Sequence, residues 1–213
     1  MEYISQSLTF ETSEIKFPNP TNGNENFQVM MDWEDTLMSA SAAYVCEGGG
    51  DILEIGFGIH ISADYIQSHN INSHTIIENH PDIIPKAQAW AADKSNVNIV
   101  EGSWYDVKDT LSTYDGLFMD TWEDQHMNYF SSSLSSLIKV GGRATWWNGM
   151  LGSKNISQSI NEEGKRFIFV GEGEELQTNY YCIPDVTYDV YDVTPPTNNY
   201  FNYSQYYLPK KQF

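Results

Sequence analysis

The chain has 213 residues, 40% of them apolar and 19% charged, enough for one globular domain that buries its own core without disulfides or a structural metal. Twenty-nine Asp and Glu against eleven Lys and Arg give a net charge of −18, and residues 1–85 hold one base, Lys16, beside 13 acids. Such a surface repels phosphate backbones and anionic headgroups and draws in cations, so nucleic acid and membrane are poor partners. No run approaches the roughly 20 apolar residues of a membrane span. Met1 to Phe17 lacks the basic start and apolar centre of a secretory signal. Cys46 and Cys182 are too few for a disulfide framework and read as ordinary buried thiols, which suits a cytoplasmic protein.

Residues 1–28 carry Pro18, Pro20, Gly23 and Asn19, Asn22, Asn24 and Asn26, a breaker-rich stretch that reads as an irregular arm or lid. Val29 to Val45 is predicted as a helix from the spacing of Met30, Trp33, Leu37, Met38 and Ala42, stopped by Gly48-Gly49-Gly50. From there strands and helices alternate. Asp51–Ile55, Thr75–Ile77, Val97–Val100, Gly116–Met119 and Ala144–Trp147 are predicted strands. Ile59–Gln67, Pro81–Ala92 and Gln125–Ile138 are predicted helices. This alternation means an α/β fold with a mostly parallel sheet covered on both faces. Arg166–Val170 and Tyr180–Ile183 read as an antiparallel hairpin closing the sheet. Residues 185–213 read as an aromatic-rich tail, either a lid or homodimer element or a cover on its own sheet edge.

Chemistry concentrates at strand ends. Glu54-Ile55-Gly56-Phe57-Gly58 is a glycine turn between strand and helix, where open parallel sheets bind nucleotides. Glu78 ends the second strand, where an acid accepts hydrogen bonds from ribose hydroxyls. Ile61 stands where a dinucleotide fingerprint needs its third glycine, and Glu54 is awkward beside a pyrophosphate. A cationic, sulfonium-bearing nucleoside suits the turn better. Asp120, ending the fourth strand, faces the ligand crevice of such a sheet or caps the next helix. The five histidines show no metal-site spacing, and His126 reads as a helix-surface residue.

The Glu54-x-Gly56-x-Gly58 turn with Glu78 resembles the S-adenosylmethionine (SAM) motif of class I methyltransferases. That resemblance implies a Rossmann-like, mostly parallel seven-stranded sheet with helices on both faces and a closing antiparallel hairpin. It implies that Gly56 and Gly58 face the methionine part of SAM, that Glu54 orients its amino group, and that Trp104 and Tyr105 flank adenine. A closer resemblance runs from Val29 to Pro184. Val29-Met30-x-x-Trp33-Glu34-x-x-x-Met38, the Glu54 to Gly58 turn, Ile76-Ile77-Glu78-Asn79, Gly102-x-Trp104, Tyr114-Asp115-Gly116 with Asp120-Thr121, and Tyr180-Tyr181-Cys182-Ile183-Pro184 are similar, in order, to segments of the guanidinoacetate N-methyltransferase family.

Three regions are expected: an arm or lid over 1–28 from its breaker-rich composition, a methyltransferase domain over 29–184 that the family resemblance covers, and an aromatic-rich extension over 185–213 beyond it. The resemblance implies methyl transfer from SAM to a guanidino nitrogen, leaving S-adenosyl-L-homocysteine. Glu34 and Asp120 would grip the guanidino group, with Met30 on the substrate and Met38 on SAM. Phe57, Gly58, Ile59, His60, Ile61 and Ser62 would line the methionine and nucleoside, and Glu78, Asn79 and His80 the ribose. Gly149 and Met150 fall where the family anchors the substrate carboxylate, which implies a backbone donor there. The expected partner is a small cationic guanidine such as guanidinoacetate or arginine. A simple amine or polyamine substrate, or a catalytically silent SAM-binding module, are the competing readings.

Overall fold

A computed structural model describes residues 3–18, 25–122, 124, 126, 129–148, 168–169, 175–176, 183 and 185–213. The chain opens with an antiparallel meander of β1 (Thr9–Phe10), β2 (Glu14–Pro18) and β3 (Asn26–Met31). A single turn at Asp32–Glu34 leads into α1 (Asp35–Cys46). Then follow β4 (Asp51–Ile55), α2 (Ile61–Ser68), β5 (Ser73–Glu78), α3 (Ile84–Ala91), β6 (Val97–Glu101) and α4 (Trp104–Val107). The described chain continues with β7 (Tyr114–Met119), α5 (Phe130–Leu137), β8 (Ile138–Trp146), a two-stranded pair of β9 (Ile168–Phe169) and β10 (Glu175–Leu176), and finally β11 (Thr187–Asp192) and β12 (Gln205–Gln212).

The main sheet has seven strands in the order β11-β12-β8-β7-β4-β5-β6. β8, β7, β4, β5 and β6 run parallel, while β12 pairs antiparallel with β8 and β11 antiparallel with β12. Strand alternation splits the core into two layers. Ile52 and Phe118 pack under Met38, Ala42 and Val45 of α1 and Ile66 of α2. Leu53, Ile55, Leu117 and Met119 face Phe130, Leu134 and Leu137 of α5 on the opposite side.

Three expectations are corrected. The stretch before α1 is not one helix from Val29: its first three residues end β3, and the helix starts at Asp35. The apolar spacing from Met30 to Trp33 comes from a strand running into a turn. The N-terminal region is not irregular either. Ile15 and Phe17 alternate inward from β2 and are fully buried, and the Leu8 N–H donates to Asp82 Oδ2 at 2.9 Å.

Third, the hairpin closing the main sheet is not 166–183 but β11 and β12, drawn from the segment expected to be a tail. Of the expected hairpin, Ile168–Phe169 pair instead with Glu175–Leu176 in a separate sheet, and Tyr180–Cys182 lie outside the described residues. Phe201, Tyr206 and Leu208 from this hairpin pack with Leu37 of α1 as a core cluster. Phe201→Ala is therefore expected to cost about 3–5 kcal/mol in urea denaturation. A loss under about 0.5 kcal/mol would match a surface tail instead.

Candidate active site

The sheet order reverses between β4 and its neighbours, the topological switch where open α/β sheets bind ligands. Backbone bonds lace the strand ends into one floor there. The Gly56 N–H donates to the Ile77 carbonyl at 2.9 Å, Asp120 N–H to the Ile55 carbonyl at 2.8 Å, and Gly102 N–H to the Glu78 carbonyl at 2.9 Å. Gly56 has φ +94°, and a Cβ there would land on the carbonyl oxygen of Asp120. Only glycine lets the β4 turn pass this close to the end of β7.

Above this floor lies a cavity of about 240 Å³. Met30, Gly56, Phe57, Gly58, Ser62, Glu78, Asn79, Trp104 and Asp120 line it, among the expected site residues. Glu78 is buried, and its carboxylate accepts the N–H groups of Phe57 (3.0 Å), Asn79 (2.8 Å) and His80 (2.8 Å). Burial raises its proton affinity, and those three donors oppose the rise. A carboxylate with two oxygens keeps acceptor capacity beyond three donors.

Asp120 opens onto the cavity, and no hydrogen-bond donor among the described residues reaches its carboxylate. Its surroundings and the charge of Glu54 push its pKa up to about 7. Glu34, at the turn before α1, is 2% exposed and does not line the cavity wall. Burial first, then the charge of Asp120, push it up to about 8, while donors from Tyr200 and Met31 hold it back. The Met31 N–H donates to Glu34 Oε1 at 3.0 Å, and the Tyr200 hydroxyl donates to the same oxygen. Buried Glu34 and half-buried Asp120 thus both have raised proton affinity, a pattern common at functional sites.

Other expected residues stand further back. Glu54 is fully buried, accepting from the Ser62 hydroxyl, and His74 Nε2 approaches its Oε2 at 2.8 Å, out of line for a directed hydrogen bond. Met38 packs from α1 into the core against Ile52, Ile66 and Phe118. Ile59 donates its N–H to Met30 Sδ at 3.4 Å, and Ile61 packs against the α1 layer. His60 is an exposed residue paired with Asp64 at 2.8 Å. His80 is fully buried beneath the Tyr3 ring, 4.7 Å between centroids, and burial lowers its proton affinity. Tyr105 lies outside the lining but stacks on His126 at 4.5 Å and 8°. His126 sits in a turn lining the cavity, not on a helix surface. Gly149 and Met150 lie outside the described residues.

Several contributors were missed. Tyr3 and Ile4 of the N-terminal arm line the cavity, with the Tyr3 ring 5.2 Å from that of Trp122. Asp124 lines it too and takes the Trp104 indole N–H and the His126 N–H. Tyr200 reaches Glu34 from the closing hairpin. An aromatic-rich stretch was the only available sign of Tyr200, and nothing in it singles out one tyrosine.

This sheet order, glycine turn and strand-end acids define the class I SAM-dependent methyltransferase fold. A spermidine synthase from Thermotoga maritima superposes over 97% of this chain and 72% of its own, with TM-score 0.61 and 10% identity. An Aeropyrum pernix fibrillarin with bound S-adenosyl-L-methionine superposes over 96% of this chain and 97% of its own, with TM-score 0.56 and 12% identity. The guanidinoacetate N-methyltransferase family model matches residues 24–211, and the chain belongs to that family of SAM-dependent methyltransferases. It is 28% identical over 221 residues to protein arginine N-methyltransferase 2 of Aspergillus fumigatus, covering 99% of this chain and 50% of the relative. To the Saccharomyces cerevisiae protein of that name it is 28% identical over 199 residues, covering 87% and 47%. The chain spans about half the length of the curated relatives it matches. No helix among the described residues is long and apolar enough to cross a membrane.

Proposed function

We propose that this chain transfers the methyl group of SAM to a guanidino nitrogen of a small cationic substrate, leaving S-adenosyl-L-homocysteine. The observation that carries the reading is the Asp120 carboxylate, which opens onto the cavity with no donor among the described residues reaching it and whose charge acts on buried Glu34. The residues present fit SAM: Gly56 and Gly58 leave room against the turn, Glu78 offers an acceptor, and Asp120 supplies negative charge for a cationic sulfur. SAM, when bound, supplies a methyl group on a positively charged sulfur. Everything else falls to the chain.

A guanidinium ion stays protonated at neutral pH, with a pKa above about 12, so its nitrogens are poor nucleophiles. Two carboxylates gripping it in fork geometry localise its charge away from the reacting nitrogen. That nitrogen sheds one proton as it gains the methyl, and a carboxylate of raised pKa can take it. Holding nitrogen and methyl in line adds up to about 7–11 kcal/mol of rate enhancement.

The test incubates the protein with isotope-labelled SAM and guanidinoacetate, arginine, an arginine peptide, a simple alkylguanidine, and spermidine as the amine control. Mass spectrometry is expected to place the label on a guanidino nitrogen. Label on spermidine alone, or none, overturns the reading. Because the acids must be ionised to grip a cation, kcat/KM is expected to rise with pH through about 7 to 8 and then level off. A profile already flat between pH 5 and 9 would count against them.

A further inference from the structure

We propose that Tyr200, on the loop joining the two closing strands, is a positioning residue that fixes the orientation of the Glu34 carboxylate through its Oε1. The inference rests on the guanidine reading of the same site. Tyr200 lies 166 residues after Glu34, and its hydroxyl donates to Glu34 Oε1. The same hydroxyl oxygen accepts the indole N–H of Trp33 at 3.0 Å. An indole can only donate. The single Tyr200 proton is therefore committed to Glu34, and accepting from Trp33 strengthens that donation. The Tyr200 ring also stacks on Trp33, 6.2 Å between centroids at 28°.

The consequence concerns where a proton on Glu34 can sit. Tyr200 and the Met31 N–H both donate to Oε1, so that oxygen must act as an acceptor. A proton taken up by Glu34 is then confined to Oε2. The charged or titratable groups acting on Glu34 are Asp120 beyond β7, Tyr200 itself, and Tyr206 of β12. Both tyrosines stay neutral, because burial and nearby carboxylates push their phenols far above the ordinary value.

The loop is built to hold this position. Asn198 Oδ1 accepts the N–H of Tyr200 at 2.9 Å and of Phe201 at 2.7 Å. Asn199 Oδ1 accepts the Gln28 N–H at 2.8 Å, tying the same loop to β3. Phe201 is fully buried beside it. The loop therefore spans the N-terminal meander, the Glu34 turn and the closing hairpin at once.

The test compares wild type with Tyr200→Phe, which keeps the ring and loses only the hydroxyl. Losing a donor to a buried carboxylate is expected to lower kcat roughly 10–100-fold. SAM affinity by calorimetry and the melting temperature of the folded protein should change little by comparison. In the same variant, the carboxyl signal of isotope-labelled Glu34, assigned by its loss in Glu34→Gln, is expected to titrate at higher pH. The rising limb of kcat/KM should move the same way. An unchanged Glu34 titration and an unchanged pH profile overturn the proposal. Should Tyr200→Phe fail to fold, Trp33→Phe removes the bond into the Tyr200 oxygen and is expected to give a smaller shift in the same direction; no shift overturns it. The titration needs no turnover, so a wild type inactive on every guanidine would sink the functional reading while the Glu34 titration still decides the role of Tyr200.

Discussion

Glu34→Gln is expected to lower methyl transfer by about 10²–10⁴-fold and, above pH 8, to make the protein more stable than wild type. The two donors to Glu34 among the described residues converge on Oε1. A glutamine can keep its oxygen there and lose only the charge. The folded-state pKa of Glu34 is raised from 4.5 to about 8, so the unfolded chain binds fewer protons than the folded one between those values. Stability attributable to this group is therefore highest below about pH 4.5, declines as pH rises, and reaches its floor above about pH 8. The variant escapes that decline. A gain of roughly 2 kcal/mol would raise the melting temperature by about 4–8 °C for a chain of this length. Loss of a carboxylate that handles a proton should meanwhile lower kcat by about 10²–10⁴. Calorimetric melts at pH 5 and pH 9, beside single-turnover assays, check both halves. A variant less stable than wild type at pH 9 would mean that the charge on Glu34 is fully compensated in the fold. Stability spent at the site that does the chemistry is a recurrent trade-off.

Gly56→Ala is expected to abolish SAM binding by calorimetry and to lower the melting temperature as well. The new Cβ would strike the Asp120 carbonyl, which is backbone and cannot swing away, at a φ of +94° that side chains rarely adopt. Together these should cost at least 1–3 kcal/mol of stability and displace Asp120 itself. Gly58→Ala is the control. Its Cβ would meet Met30 Sδ, the far part of a flexible side chain, so the same change there should be milder. Equal effects at the two glycines would mean that φ, not the contact with Asp120, sets the cost.

The parallel half of the sheet was legible because its signals are local. β4, β5 and β7 are short apolar runs ended by Gly56, Glu78 and Asp120, and both glycines and strand-end acids announce themselves. The candidate site on those ends was legible for the same reason. The N-terminal meander was hidden because its inward residues, Ile15 and Phe17, stand beside a breaker-rich stretch whose composition argues for a loop. The closing hairpin was misplaced for a subtler reason. Arg166–Val170 is richer in β-formers than Thr187–Asp192, and Pro209 argues against a paired strand. β12 tolerates Pro209 because its ladder to β8 begins only at Lys211. Burial of Tyr206 and Leu208 against α1 decides the outcome, and that is a tertiary preference no local window contains. Glu34 could be picked from its motif, but its anchor at Tyr200 could not, since the pairing spans most of the chain.

That span has a consequence for synthesis. A ribosome that has delivered the chain through Trp146 has released all five parallel strands and the glycine turn, yet the acid at position 34 still lacks its phenolic donor. Nascent protein at that stage carries an under-satisfied carboxylate at Glu34, although every described residue that lines the cavity has already been made. The Glu34 carboxylate gains that donor only when the β11–β12 hairpin docks and brings Tyr200 to it.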